Sequence, residues 1–139
     1  MTAFALVTQQ AIYDTLTGNV PLMAAVVSVS DNVPQPSDAG DAANFPYITI
    51  GEDVLTDIST DLELMAQVSI TIHLWSRATG RKETKTIQGL IYDALNRANI
   101  VQAGYKFINI NQVQCDSRLE SDGFTRHGIQ TYNLLLEEV

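Results

Sequence analysis

Two hydrophobic rhythms alternate along the chain: the spacing of a helix face, and the period of two that a half-buried strand imposes. From Ala3 to Leu16, the residues Leu6, Ile12, Tyr13 and Leu16 fall on one side at helical spacing, with Gln9, Gln10 and Asp14 elsewhere. This predicts a helix ended by Gly18-Asn19. The apolar stretch from Pro21 to Val29 predicts a further helical turn running into a short strand. Residues 34–44 hold two prolines, a glycine and small polar groups, which predicts an exposed loop.

Strand signals begin at Phe45. Pro46, which has no N–H to donate, suits the first position of a strand, and Tyr47, Ile48, Thr49 and Ile50 are aromatic or β-branched, as a pleated surface favours. Gly51 predicts a bulge. Val68, Ile70, Ile72 and Leu74 then alternate with Ser69, Thr71, His73 and Trp75, so one face of this strand is wholly aliphatic and must be covered. Between these strands, Glu52 to Glu63 is an acidic reach with no tight-turn dipeptide, which predicts a long hairpin tip, mobile in an isolated molecule.

Ser76 to Gly80 supplies residues of the capping type, and a helix from about Arg81 to Arg97 carries Ile87, Leu90, Ile91, Ala94 and Leu95 on one face, with Asn96 and Asn99 at its exit. Ile100-Val101, a turn at Gly104, Tyr105 to Cys115, a turn at Ser121-Asp122-Gly123, and Arg126 to Glu138 read as a closing antiparallel set. The order predicts an α+β fold: a mainly antiparallel sheet, two principal helices packed on a face, and a long extended hairpin. At 139 residues, one domain spanning residues 1–139 is expected, large enough to bury a core without staples. The single cysteine, Cys115, agrees with a reducing compartment. No Lys or Arg precedes an apolar stretch near Met1, and no apolar run reaches the roughly 18 residues of a membrane helix, so a soluble, cytoplasmically made protein is expected.

Charge refines this picture. The net charge of −8 is uneven: no Lys or Arg occurs before Arg77, against nine acids there, whereas the later part holds eight bases and seven acids. Arg77, Arg81, Lys82 and Lys85 crowd together. A generic nucleic-acid binder carries a net basic face that releases counterions, and an acidic chain argues against that class. Arg81, Lys82 and Lys85 also lie where the positive end of a helix macrodipole disfavours cations. The acidic reach (Glu52, Asp53, Asp57, Asp61, Glu63) and the basic group (Arg77, Arg81, Lys82, Lys85) are therefore candidate interface residues, paired between subunits. The plainer alternative is a solvated basic face with pairing inside the helix through Glu83.

Reaction chemistry finds little support. His73 and His127 are the only imidazoles and Cys115 the only thiol, so a Cys115–His127 pair on adjacent strands is the one conceivable nucleophilic centre. Cys115 reads more simply as a small apolar strand residue, His127 as a surface or turn histidine at a strand start, and His73 as a structural histidine. No metal-ligand spacing, calcium-loop register or phosphate-binding loop is present, and the anion-attracting sequence Gly80-Arg81-Lys82 is incomplete as such a loop. No catalytic, cofactor or metal site is expected.

Phe45-Pro46-Tyr47-Ile48-Thr49-Ile50-Gly51, then His73-Leu74-Trp75-Ser76-Arg77, then Gly80-Arg81 and a helix with Ile87, Ala94 and Leu95 form an ordered series. With Ala11-Ile12-Tyr13, Leu16, Val33-Pro34, Gly104, Asp116, Arg118, Asp122 and His127-Gly128, it resembles the tail-completion or tail-terminator family of long-tailed bacteriophages and gene transfer agents. The stretch Gln35 to Asn44 is longer than the family's link between Val-Pro and Phe-Pro-Tyr. The resemblance implies a structural virion protein at the head-proximal end of the tail, assembled in the host cytoplasm. It further implies a hexameric ring that caps the tail tube and presents its other side to head-completion or stopper proteins. Double-stranded DNA would pass through such a ring without specific binding. Competing expectations are a head-side connector, a small Cys/His hydrolase and a generic binding module.

Overall fold

The computed structural model describes residues 4–31 and 45–139; the loop expected at 34–44 lies outside the described residues. Three helices, α1 (Phe4–Thr17), α2 (Val20–Ala25) and α3 (Lys82–Leu95), accompany six strands: β1 (Ser28–Ser30), β2 (Tyr47–Asp57), β3 (Met65–Ser76), β4 (Val101–Gln102), β5 (Tyr105–Leu119) and β6 (Arg126–Glu138). The strands form one sheet in the order β1-β2-β3-β6-β5-β4. Among the described residues only the short β1–β2 pairing is parallel. The fold is α+β with a mainly antiparallel sheet, as the hydrophobic pattern indicated.

The aliphatic stripe of β3 fixes which face the helices take. Val68, Ile70, Ile72 and Leu74 are each at most 1% exposed, and Tyr132, Leu134 and Leu136 of the paired β6 continue the stripe. Against it lie Ile87, Ile91 and Leu95 of α3, spaced one helical turn apart, with Leu90 and Ala94 at the flank. Full burial of each such side chain contributes about 1.5–3 kcal/mol, which is why the helix settles here although its first turn is crowded with cations.

α1 buries a different face from the one its aliphatic residues indicate. Phe4, Thr8, Ala11, Ile12 and Leu16 point inward, while Leu6 and Tyr13 stay exposed. Thr8 can enter the core because its hydroxyl donates to the Phe4 carbonyl at 2.7 Å, so no polar atom is left unmatched. α2 starts where Asn19 accepts from the Leu22 N–H at 3.0 Å. At α3 the anticipated cap from Ser76 to Gly80 is absent: Arg81 occupies the N-cap without a side-chain bond. Ser76 instead donates to Glu83 at 2.7 Å, tying the helix start to the end of β3. α3 also ends two residues before Arg97, which takes a positive φ of 58° and donates its N–H to the Ile110 carbonyl.

The acidic reach proves to be largely strand. β2 continues through Glu52 and Asp53 to Asp57, pairing with β3 as far as Ala66, so the hairpin is an arm with a short turn at 58–64. Gly51 sits where the β2–β3 register shifts between Ile50 and Asp53, the bulge its identity indicated. Past the bulge Asp53, Leu55 and Asp57 face the helix side, because they lie opposite Ile70, Val68 and Ala66. The turn is held by Ser59, whose N–H donates to Asp57 at 2.8 Å and whose hydroxyl accepts from the Met65 N–H at 2.9 Å.

Candidate interaction surface

The sheet face turned away from the helices carries Tyr47, Thr49 and Val54 of β2, Ser69, Thr71, His73 and Trp75 of β3, and His127, Ile129, Thr131 and Asn133 of β6; no helix covers it among the described residues. Apart from Ile129, its middle is small, polar and uncharged. Its β1-proximal end is aromatic: Phe45 packs on Tyr47, Tyr47 on Trp75, and Trp75 stacks on His127 with centroids 3.8 Å apart and planes 10° from parallel. Arg77 closes this end, its guanidinium 4.2 Å from the Phe45 ring and 4.9 Å from Phe124, with Nε donating to the Thr125 hydroxyl at 3.2 Å. The turn from Glu120 to Thr125 is ordered by Asp122, which accepts from the Phe124 and Thr125 N–H groups and from the Thr125 hydroxyl.

A chain of hydrogen bonds crosses the sheet beside the stack. Glu52 meets His73 Nε2 at 3.0 Å, His73 Nδ1 meets His127 Nε2 at 2.7 Å, and His127 Nδ1 meets Glu120 at 2.8 Å. Gly51 makes room for this: a Cβ there would stand 2.6 Å from a carbon of the His73 ring. The two carboxylates only accept, so His73 Nε2 and His127 Nδ1 must carry protons, and one further proton must lie between the rings. Burial holds the His127 ring below the ordinary histidine pKa, against the opposing pull of Glu120. Burial therefore favours a neutral His127, whose Nε2 can accept in the bond between the rings. The charged groups around the pair are Glu52 from β2, Arg118 from β5 and Glu120 from the turn. A proton added at His127 Nε2 removes that acceptor.

The sign of the pH effect follows. A histidine whose folded pKa is depressed supplies stability that is complete above its unfolded value near 6.5 and is lost as pH falls through the folded value. The urea midpoint is expected to fall between pH 7.5 and 5 in the parent chain and to fall less in His127→Gln. Equal slopes in the two chains would remove His127 as the cause.

The conceivable nucleophilic centre does not form. Cys115 lies opposite Gln130 and points to the helix side, while His127 lies opposite Arg118 on the open face. Adjacent strands alone do not bring the two groups together, because the register sends their side chains to opposite faces. Burial and the neighbouring Asp116 push the Cys115 thiol up, away from the thiolate a nucleophile needs. His127 is a buried β6 residue, only 9% exposed, and not a surface histidine. Both rings are fully engaged, an arrangement that residues 54 positions apart in sequence do not disclose. Among the described residues no cluster of His, Cys, Asp or Glu has metal-binding geometry, and no helix is long and apolar enough to cross a membrane.

The interface candidates divide into two groups. Glu52 and Arg77 are engaged inside the protomer, by His73 and by the Phe45–Phe124 sandwich. Asp53, Asp57, Asp61 and Glu63 are exposed on the arm, and Arg81, Lys82 and Lys85 are exposed on the first turns of α3. Pairing inside the helix through Glu83 competes with the Ser76 bond that Glu83 already accepts. The arm and the helix start leave β3 from opposite ends, separated by eleven residue steps, or about 35 Å at strand rise. The arm also exposes Val54, Leu62 and Leu64, with Leu62 95% exposed at the turn.

Comparison with known proteins agrees with this architecture. The tail completion protein gp17 of Bacillus phage SPP1 is 27% identical over 121 residues, covering 87% of this chain and 85% of that protein. Its solved structure superposes with a TM-score of 0.64 at 25% identity, covering 96% of this chain and 94% of the other. A chain in the virion of a native gene transfer agent particle superposes with a TM-score of 0.85 at 23% identity over 99% of both chains, a likeness of fold. The family described as "Tail completion protein gp17" matches residues 10–137, and the chain belongs to it.

Proposed function

We propose that this protein is a non-enzymatic virion component at the head-proximal end of a phage-like tail, where copies of it close the finished tail tube and join it to the head. Family membership over residues 10–137 carries the reading. The engagement of both histidines in one network, with Cys115 turned to the opposite face of the sheet, supports it. The chain acts as one domain, residues 1–139, and works as a ring, with six copies as the expected number. The tail tube protein lies on one side and a head-completion or stopper protein on the other.

The placement of charge supports contact between copies. Inside one protomer Asp53 lies opposite Ile70, six residue steps or about 20 Å along β3 from Ser76, and Asp57, Asp61 and Glu63 lie farther out, all beyond the roughly 8 Å at which screening at physiological salt sets in, so the arm has little attraction for Arg81, Lys82 and Lys85 there. Between copies the two ends meet head to tail, and a head-to-tail contact is the kind that closes into rings. With the bases occupied in that contact, the acids left over face the passage, and DNA moves through without adhering.

Reversing the cluster with Arg81→Glu and Lys82→Glu is expected to weaken self-association at low ionic strength, seen by light scattering, without lowering the urea midpoint. Unchanged association would exclude the pairing. A protein that remained monomeric and absent from finished particles would exclude the assembly itself.

A further inference from the structure

The sheet ends in two edges that are only partly covered. β1 pairs with Tyr47 to Thr49 alone, so the outer side of the arm from Ile50 to Asp57 has no strand partner among the described residues. β4 pairs with Tyr105 and Lys106 alone, and beyond it the loop after α3 covers β5 only at Ile110, which accepts from the Arg97 N–H, and at Gln112, whose N–H donates to Asn96. From Val113 to Leu119 no strand lies beside β5 among the described residues. Long exposed edges template pairing with another chain, and folded proteins usually shorten, charge or cover them.

The two edges are matched in charge and in side-chain direction. Beside the β5 edge, α3 forms the wall of a groove lined by Lys85, Gln88, Tyr92, Cys115, Asp116 and Ser117, in which Gln88 donates to the Asp116 carbonyl and Arg118 pairs with the Asp116 carboxylate. A neighbouring hollow that shares Ser117 is basic, lined by Arg81, Arg118 and Arg126. Asp93 lies at the other end, two helical turns from Lys85, or roughly 12 Å. A strand added here would turn alternate side chains toward that wall. On the arm those residues are Asp53, Leu55 and Asp57, with both acids on the helix side. Asp53 to Asp57 and Cys115 to Leu119 each span four residue steps, so the arm's acids can align with the stretch of β5 next to Arg81 and Lys85, clear of Asp93. No other uncovered strand edge among the described residues joins such length to an acid-only charge.

We propose that the arm of one copy adds, through residues 53–57, to the outer edge of β5 at 115–119 of the next copy, continuing the sheet from subunit to subunit with Asp53 and Asp57 set against Arg81 and Lys85. This rests on the reading that copies assemble, and adds the backbone pairing that sets their register. Main-chain bonds supply the affinity in strand addition and alternate side chains supply the selectivity. A polar groove beside β5 then becomes a seat for part of the next subunit.

The native Cys115 makes the register testable, because it points to the same side as Asp53 and Asp57. Directly opposed residues on neighbouring strands place their Cα atoms about 4.5–5.5 Å apart, within disulfide range. Asp57→Cys reaches Cys115 if the added strand is antiparallel, and Asp53→Cys reaches it if parallel. Val54→Cys, on the open face opposite Ser69, serves as the control. Each variant is oxidised as purified protein and within particles produced by the host, with assembly followed by light scattering and electron microscopy. The expected result is a ladder of disulfide-linked oligomers from Asp53→Cys or Asp57→Cys, lost in Val54→Cys and whenever Cys115→Ser is added. Rings that form normally with no ladder in either variant would overturn the edge pairing and leave assembly standing. Copies that never associate, free or in particles, would overturn both.

Discussion

A chain whose residues 59–64 are replaced by an Asn-Gly turn is expected to fold like the parent and to leave tails that fail to join heads. The turn lies beyond the last β2–β3 pair, and the Ile58 N–H already donates to the Met65 carbonyl, so a two-residue hairpin connection fits the local pairing. None of the removed side chains reaches the core, and the cross-strand ties lost are the bond from the Glu138 N–H to the Leu64 carbonyl and those of the Ser59 hydroxyl with Met65. Stability should change by about 0.5 kcal/mol or less, as for surface changes in general. What disappears is the exposed Leu62 with Asp61 and Glu63, the part of the arm that projects farthest from the sheet. Electron microscopy of particles gives the functional outcome and urea denaturation the structural one. Normal joining with the shortened turn would remove the arm tip from the proposed contact.

Ile91→Ala is expected to give the largest loss of stability of any change considered. Ile91 is fully buried at the middle of α3, and removing its outer carbons leaves a space between that helix and the sheet. Such truncations cost about 2–5 kcal/mol, a large share of the roughly 5–15 kcal/mol by which domains are stable. The urea midpoint should drop sharply at an unchanged slope. A loss below about 1 kcal/mol would mean that α3 is not seated as described.

How much of this was legible in the residues depended on whether a pattern was local. The alternation in β3 and the helical stripe of α3 are signals within one segment, and both elements appear where the pattern put them. Gly51 was legible for the same reason, since a glycine inside a strand pattern marks a place where the ladder shifts. The α1 face is hidden from the pattern because Thr8 counts as polar in any hydrophobic pattern, whereas its back-bond to Phe4 lets it face inward. The outer half of β2 is not legible as strand because acids look like loop, although an edge strand tolerates charge on the side that water reaches.

The candidate site was less legible, because it is made by register. Nothing in the sequence states that His73 and His127 lie on neighbouring strands on one face, or that Cys115 turns to the other. A slip of one residue in the β5–β6 pairing would reverse the side Cys115 takes. The division of charge, by contrast, was plain from composition. Only the geometry adds that two of the nine interface candidates, Glu52 and Arg77, are already committed inside the protomer.

The opposed positions of the arm and the α3 start give each subunit a polarity along β3. Copies that meet through those two ends all point the same way around a closed assembly, and no twofold axis exchanges its upper and lower rims. In the proposed ring the two rims would therefore differ in shape and chemistry, as suits a part with unlike neighbours on its two sides.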